Sequence, residues 1–279
     1  MQTPPPLTDR EALARHRARA IPAPALFLQE DAADEIQERL IEVNRTFTAP
    51  AVVTPFPDLW RSRLPDAQIV SDDELLDLAP GAHDLVIHAL CLHWANDLVG
   101  QLVQCRRALR PDGMFLGVLF GGQTLTELRA CLAEAEAAVS GGLSPRVLPM
   151  GEIRDLGGLL QRAGFALPVA DSATRVVTYA DAWRLMADLR AMGEGNALAA
   201  RLRRPTRRGV FSQAVQRYGD SYPATGSRIQ ATFELIFLTG WGPAETQQKP
   251  LRPGSAVQRL ADALGTTEAP LPPATTRGS

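Results

Sequence analysis

Two histidines five residues apart are the side chains of this sequence best suited to acid–base or metal chemistry. His88 lies inside an apolar run, residues 84–90, and His93 comes just after it. Each could serve as a general base or a metal ligand. At this spacing on an extended segment they project to opposite faces, and no nearby carboxylate completes a two-histidine, one-carboxylate iron site. The sequence therefore predicts no metal site. His93 and Trp94 are interpreted as pocket-lining residues, whereas His88 is as readily a core residue.

An acidic cluster, Asp72-Asp73-Glu74, follows the short apolar run 68–70. Carboxylates at the carboxyl end of a parallel strand stand where α/β folds bind their ligands. Asp72 and Asp73 are therefore candidate ligands for a polar group of a cofactor. The alternative is purely local, because Asp73 could cap a helix over residues 73–79.

Two glycines, Gly121 and Gly122, follow the apolar run 114–120. Without a Cβ they would let a ligand approach the backbone closely. The alternative is a plain turn from a strand into a helix that Thr124 caps. We place Gly121, Gly122 and Thr124 at a substrate cleft, and we assign a catalytic role to no residue.

Arg129 and Asn196 complete the candidate cleft. The guanidinium of Arg129 could bind an acidic substrate group, with simple solvation at the surface as the alternative. Asn196 lies in residues 180–222, a connection long enough to cover a cleft or to dock a partner. The same connection carries a basic run, residues 201–208, which is either a solvated face or a docking patch for an acidic protein surface.

Strands and helices alternate along the chain. A near-continuous apolar strand (84–90), a helix (96–109), a turn (110–113) and a second strand (114–120) form one parallel strand–helix–strand unit. Residues 180–217 are predicted to be loosely helical. The remaining predicted elements are helices over 9–20, 30–44, 124–139 and 151–163, and strands over 51–53, 68–70, 173–179 and 230–238. The pattern predicts an α/β fold with a doubly wound, mostly parallel sheet whose last strand is antiparallel.

The bulk properties are those of an ordinary globular protein. Of the 279 residues, 45% are hydrophobic and 22% are charged, and the formal net charge is −2. This balance gives no reason to expect nucleic-acid binding. No apolar run reaches the roughly 18 residues of a membrane span. Three cysteines without a Cys-x-x-Cys pair suit a reducing compartment. We expect a cytoplasmic protein that is peripheral to a membrane only through a partner.

Several blocks of the sequence carry a specific resemblance. The turn Leu109-Arg110-Pro111-Asp112-Gly113 resembles the turn before the fifth strand of class I S-adenosylmethionine (SAM) methyltransferases. Residues 120–129, Phe-Gly-Gly-Gln-Thr-Leu-Thr-Glu-Leu-Arg, and residues 188–197 resemble the family of mitochondrial respiratory complex I assembly factor 5, of an α-proteobacterial type. BioC-type methyltransferases are more distantly similar. The resemblance covers residues 26–265.

This resemblance implies a Rossmann-like methyltransferase fold and a protein client, a subunit of respiratory complex I. The mitochondrial family member is associated with hydroxylation of an arginine of such a subunit. The fold implies SAM as the cofactor. Its adenine-side acid would be Asp72 or Asp73, and the other residues implied to contact it are Ala89, Leu90, His93 and Trp94.

The first half of the domain departs from the methyltransferase pattern. A glycine-rich turn after the first strand normally admits the cofactor, because any Cβ there would collide with it. Residues 49–73 contain no glycine, and the turn is Thr54-Pro55-Phe56-Pro57. Only fifteen positions separate Val53 from Gln68, whereas one strand–helix–strand unit needs about 30 residues. A strand–helix unit, with its ribose-binding carboxylate, is therefore predicted to be missing.

The predicted organisation is a flexible N-terminal arm with a short helix (1–25), a methyltransferase-like domain (26–265) with a helical cap insertion (180–222), and a disordered tail (266–279). Three functions stay open: a client-binding assembly factor with a degenerate SAM site, an active SAM-dependent methyltransferase, and a non-catalytic binding module. The fold should show either an open pocket above Val53 and Asp72 or side chains of the 56–60 segment filling it.

Overall fold

A computed structural model describes residues 5–20 and 25–247. Its centre is one mixed sheet of seven strands in the order β2-β1-β3-β4-β7-β5, with the two-residue β6 paired to β7. The strands are β1 (Pro50–Val53), β2 (Gln68–Val70), β3 (His83–Ala89), β4 (Leu109–Phe120), β5 (Ala166–Tyr179), β6 (Pro223–Ala224) and β7 (Arg228–Trp241).

Strands β1 to β4 are parallel, and β7 runs antiparallel to both β4 and β5. β2 pairs directly with β1, with Ala51 opposite Gln68, and forms the edge of the sheet. Only two strands therefore lie on this side of β3, which is the shortened first half that the sequence predicts. The antiparallel last strand is also confirmed.

Helices cover both faces of the sheet. They are α1 (Arg10–Arg17), α2 (Phe27–Val43), α3 (Pro57–Arg63), α4 (Leu98–Ala108), α5 (Thr126–Ser140), α6 (Ile153–Ala163), α7 (Ala182–Ala191) and α8 (Arg208–Ser221). On β3, alternate side chains enter different cores, because successive residues of a strand point to opposite faces. Leu85 and Ile87 pack in the core that holds α2, α5, α7 and α8, whereas Val86 packs against α4 and α6. This arrangement is the predicted doubly wound fold.

Three local predictions were wrong. Residues 110–113 belong to β4 rather than to a turn, because their backbone continues the strand. No helix forms over residues 73–79, where the chain is a loop whose carbonyl groups are bound by side chains of α4. The loosely helical stretch 180–217 is two helices, α7 and α8, separated by an irregular segment 192–207. Residues 1–4 and the predicted tail 266–279 lie outside the described residues.

Helix α1 begins as the sequence predicts, with the Asp9 carboxylate accepting a hydrogen bond from the Ala12 amide at 3.0 Å. Ala12 and Leu13 pack with Trp94, Leu148 and Leu198 in a small third core. A β-bridge between Thr8 and Leu198 ties the segment before α1 to the irregular segment 192–207. Helix α1 is thereby held against the carboxyl ends of the parallel strands.

Candidate functional site

Asp72, just past the end of β2, is a buried carboxylate with an arginine bound to it. Its side chain is 7% exposed, and both carboxylate oxygens lie 2.7 Å from Nη1 of Arg17 on α1. Arg10, two turns earlier on the same face of α1, donates to the Asp72 carbonyl at 2.5 Å and lies 3.5 Å from Oδ2. The acid that the resemblance assigns to the adenine is therefore engaged by the protein's own guanidinium groups.

Asp72 and Arg17 each stabilise the charged form of the other. Burial alone raises the pKa of Asp72, but the charge and hydrogen bonds of Arg17 outweigh it, and the pKa lies below its ordinary range. Burial likewise works against the charged form of Arg17, and Asp72 reverses that effect and raises the pKa of Arg17. Both groups are thus ionised at neutral pH. Nε and Nη2 of Arg17 are buried and have no hydrogen-bond partner among the residues that the structure describes.

The other residues of the predicted cofactor set lie around this pair but contact it little. Asp73 is exposed, and it is its carbonyl that accepts a hydrogen bond, from Gln101. Ala89 and Leu90 are each 1% exposed. Leu90 adopts a left-handed backbone with φ of 45°, a conformation that costs a leucine about 1 kcal/mol or more. Its carbonyl accepts a hydrogen bond from Gln29 of α2 at 3.3 Å.

The turn after β1 is packed rather than open. Phe56 is 9% exposed and Trp60, on α3, is 1% exposed. Thr54 and Cys91 close the end of the strand, since the Thr54 amide donates to the Val70 carbonyl and the Cys91 thiol lies 3.7 Å from the Val53 carbonyl. A cavity of about 320 Å³ lies on the outer side of the turn, lined by Leu26, Glu30, Pro55–Leu59, Ser62 and Arg63. Neither Val53 nor Asp72 lines it.

His93 and Trp94 form a compact polar group with Glu194. The Glu194 carboxylate accepts a hydrogen bond from Trp94 Nε1 at 2.7 Å and lies 3.3 Å from His93 Nε2. The Glu194 side chain is 8% exposed. Burial raises its pKa, but the hydrogen bond and charge of His93 and the charge of Arg17 outweigh burial, so the pKa lies below the ordinary value. Glu194 is therefore a buried anion between α1 and the Trp94 turn.

Glu194 faces a cavity of about 350 Å³ beyond the end of β4. Its apolar walls come from the ends of β4 and β7, from α5, α7 and α8, and from residues 147–150. The polar lining residues are His16, Thr124, Arg146, Arg190, Glu194, Asn196 and Arg201. Of the predicted site residues, Trp94, Thr124 and Asn196 line this cavity.

The Gly121-Gly122 turn lies at the end of β4, close to two glutamates. A Cβ on Gly121 would lie 2.5 Å from the Glu234 carboxylate, and one on Gly122 would overlap the Glu152 carboxylate. Thr124 does not cap a helix, because α5 begins at Thr126 with Leu125 as its N-cap. The Thr124 hydroxyl instead bonds both the amide and the carbonyl of Glu234. Its role as a cap was therefore a wrong prediction, and its hydroxyl fixes the turn to β7.

Arg129 and Asn196 both hold the segment 144–150, which forms one wall of the cavity. Arg129 donates to the Leu148 carbonyl at 3.2 Å, and Asn196 donates to the Pro145 carbonyl at 2.9 Å. Arg129 does not line the cavity. Within the segment, Arg146 is paired with Glu136 of α5 at 2.7 Å, and the Ser144 hydroxyl and amide also donate to Glu136. Arg146 lowers the pKa of Glu136 to about 2, and Ser144 contributes.

His88 packs under the Asp72 site, in agreement with the prediction that it is a core residue. Its Nε2 is 3.1 Å from Gln101 Oε1 on α4, and its Nδ1 is 3.4 Å from the Cys91 sulfur. Burial lowers the pKa of His88 to about 4. Burial raises the pKa of the Cys91 thiol well above its ordinary value, so the pair is not an activated thiolate.

The structure thus separates the predicted residues into two neighbouring sites, the Asp72 site and the Glu194 cavity, with α1 between them. Arg17, His16 and Glu194 are the residues that the sequence analysis missed. Glu194 stands between two glycines inside the resembling block 188–197, and that position was a usable signal. Arg17 is one of several arginines in a Pro- and Arg-rich start of the chain, and nothing local distinguishes it.

Over residues 5–20 and 25–247, no group of three or more histidine, cysteine or carboxylate side chains could hold a metal ion. In the same part of the chain, no helix is long and apolar enough to cross a membrane.

A doubly wound sheet with an antiparallel last strand and a cleft at its carboxyl edge defines a protein of the methyltransferase class. In agreement, residues 32–117 match the family model described as a methyltransferase domain. The chain is 34% identical over 230 residues to "Arginine-hydroxylase NDUFAF5, mitochondrial" of Danio rerio, covering 82% of this chain and 71% of the relative. It therefore belongs to the family of the NDUFAF5 complex I assembly factors.

Two further relatives match shorter parts of the chain. The Dictyostelium discoideum protein of the same name is 40% identical over 197 residues, or 70% of this chain and 45% of the relative. The "Malonyl-[acyl-carrier protein] O-methyltransferase" of Xylella fastidiosa is 35% identical over 179 residues, or 64% of this chain and 58% of the relative. The chain spans between about half and seven-tenths of the length of these relatives.

Proposed function

We propose that this protein binds the arginine side chain of a protein client in the Glu194 cavity. The observation that carries the proposal is one buried carboxylate in a cavity whose walls are mostly apolar. An arginine side chain has this composition, with three methylene groups below a planar cation that pairs well with a carboxylate. Two relatives of this chain are named arginine hydroxylases, and that name refers to the same side chain.

Two of the three arginines that line the cavity are already neutralised. Arg146 pairs with Glu136 and Arg201 with Asp9, which leaves Arg190 as the lining arginine without an acidic partner among the described residues. In the described part of the chain the Glu194 carboxylate bonds only to His93 and Trp94, which leaves acceptor capacity on its two oxygens. The client that we propose is a subunit of respiratory complex I, and this protein would meet the membrane through that client.

We infer that the SAM site of this chain is degenerate. Asp72 is bound by Arg17, Phe56 and Trp60 are packed, and prolines replace the glycines of the turn after β1. The residues in this arrangement do not fit SAM, and we derive no methyl-transfer step. The proposal therefore concerns recognition of the arginine.

The test is calorimetric titration with acetyl-arginine-amide and with its neutral analogue acetyl-citrulline-amide. Arginine should bind more tightly than citrulline. Glu194→Gln should weaken arginine binding by about 2 kcal/mol, the worth of one charged hydrogen bond, and should leave citrulline unchanged. Glu134→Gln is the matched control, because Glu134 is 61% exposed on α5 and is not one of the residues that line the cavity. Equal affinities for the two probes would refute the proposal.

A further inference from the structure

Helix α1 is shared by the two candidate sites through two consecutive residues. Arg17 binds Asp72, and His16 lines the Glu194 cavity. His16 packs so closely on residue 195 that a Cβ there would lie 3.1 Å from its ring. The charge of Arg17 also acts on Glu194. Moving α1 would therefore open both sites at once.

In the contact between Arg17 and Asp72, both carboxylate oxygens have a hydrogen-bond donor, but only one nitrogen of the guanidinium group has an acceptor in the described part of the chain. Both carboxylate oxygens accept from one nitrogen, Nη1, whereas the buried Nε and Nη2 have no partner within residues 5–20 and 25–247. Buried donors without an acceptor cost free energy. A ligand that presents N–H donors to Asp72 therefore competes with an arginine that is incompletely satisfied there.

We propose that Arg17 is an intramolecular ligand of Asp72, and that α1 competes with any ligand presenting planar N–H donors to this carboxylate. Adenine and guanidinium groups share that chemistry. When such a ligand binds, α1 leaves and His16 is removed from the wall of the Glu194 cavity. The proposal stands on the α1 contacts alone and does not require that the cavity binds arginine.

Cys91 reports on the position of α1. Its thiol is 1% exposed, lies beside His88 and is close enough to Asp72, Arg17 and Arg10 for their charges to act on it. Cys105, fully buried on α4, lies in the same core as Cys91, but the charges of Asp72, Arg17 and Arg10 do not act on it. Alkylation of Cys91 therefore measures local opening at α1, and alkylation of Cys105 measures opening of the core.

The first experiment is iodoacetamide labelling of the full chain, with the modified cysteines identified by mass spectrometry. Arg17→Gln should label Cys91 about tenfold faster than the unmodified protein, the effect of about 1.4 kcal/mol, with Cys105 unchanged. Arg39→Gln is the matched control, because Arg39 also forms a close pair with a carboxylate, that of Asp171, but joins α2 to β5. Unchanged Cys91 labelling would overturn the proposal. Equal acceleration at Cys91 and Cys105 would overturn it too, because α1 would then open only with the whole fold.

The second experiment measures the competition itself. Adenosine, which carries the adenine amino group without the chain that the packed turn excludes, and acetyl-arginine-amide are titrated separately into the Arg17→Gln and unmodified proteins. At least one probe should gain about tenfold in affinity in Arg17→Gln, and adding Asp72→Asn should abolish that gain. No gain for either probe would overturn the competition. If Glu194→Gln also leaves arginine binding unchanged, the arginine proposal fails while the Cys91 result still decides the role of α1.

Discussion

Glu136 fastens the wall of the Glu194 cavity, and Glu136→Gln removes the charge that holds it. The carboxylate of Glu136 is 7% exposed, receives two hydrogen bonds from Arg146 at 2.7 and 2.8 Å, and receives two more from Ser144. The variant keeps the size of the side chain but leaves Arg146 facing a neutral amide. It tests whether an ion pair, rather than apolar contact, positions residues 144–150.

The magnitude follows from the pKa of Glu136. Arg146 and Ser144 lower that pKa from the ordinary 4.5 to about 2, which corresponds to about 3 kcal/mol of stabilisation. A lowered carboxyl pKa stabilises the folded state above the unfolded pKa, and this stabilisation is lost as the pH falls from 4.5 towards 2. We expect Glu136→Gln to lower the free energy of unfolding by about 2 to 3 kcal/mol at pH 7, and by only about 1 kcal/mol at pH 3.

Urea unfolding at both pH values measures this change as the difference between variant and unmodified protein. The difference cancels the contribution of every other carboxylate. Glu134→Gln serves as control, because Glu134 pairs with Arg217 at the surface and should cost less than about 1 kcal/mol at either pH. If Glu136→Gln gave the same difference at pH 7 and at pH 3, the reasoning from the pKa would be refuted.

Two further predictions concern the core. The pKa of His88 is lowered to about 4, so its neutral form stabilises the fold above pH 6.5 and that stabilisation is lost as the pH falls towards 4. Urea unfolding should show about 2 kcal/mol less loss between pH 7 and pH 5 for His88→Gln than for the unmodified protein, and an equal loss would contradict this assignment. Gly240→Ala places a Cβ 2.9 Å from the buried Phe165 and should destabilise by about 1 to 3 kcal/mol in thermal unfolding. Gly158→Ala on α6, with open space around it, should instead be neutral or stabilising by up to about 1 kcal/mol, and similar effects of the two alanines would argue against the packing.

The parallel half of the sheet was predictable because its strands are long or almost wholly apolar. The run 84–90 and the unit that follows it were placed within a few residues, and the missing unit between Val53 and Gln68 followed from chain length alone. The errors lie where local patterns compete with tertiary contacts. Residues 110–113 contain proline and glycine, which usually mark a turn, yet they extend β4. Threonine is a residue type that often caps helices, but the hydroxyl of Thr124 is bonded to the backbone of Glu234 on β7 instead.

The site was harder to predict because its decisive contacts join distant parts of the chain. Asp72 was recognised as a candidate from its place after β2, but its partner Arg17 is 55 positions away in sequence. Glu194 and Trp94 are 100 positions apart. Neither pair has a spacing rule that a single sequence could reveal. Only packing of α1 against the strand ends, through Ala12 and Leu13, brings these residues together.

The same packing explains why binding at one site should affect the other. The small core of Ala12, Leu13, Trp94, Leu148 and Leu198 contains one residue that also binds Glu194 and one from the wall of the cavity. Release of Arg17 from Asp72 takes His16 from the wall of the Glu194 cavity and removes the positive charge of Arg17 from Glu194, so a cationic guest binds there more readily. Conversely, a client arginine bound at Glu194 adds a positive charge near Arg17 and repels it, which favours release of α1. Binding at either site should thus promote opening at the other, because coupling between two sites is reciprocal.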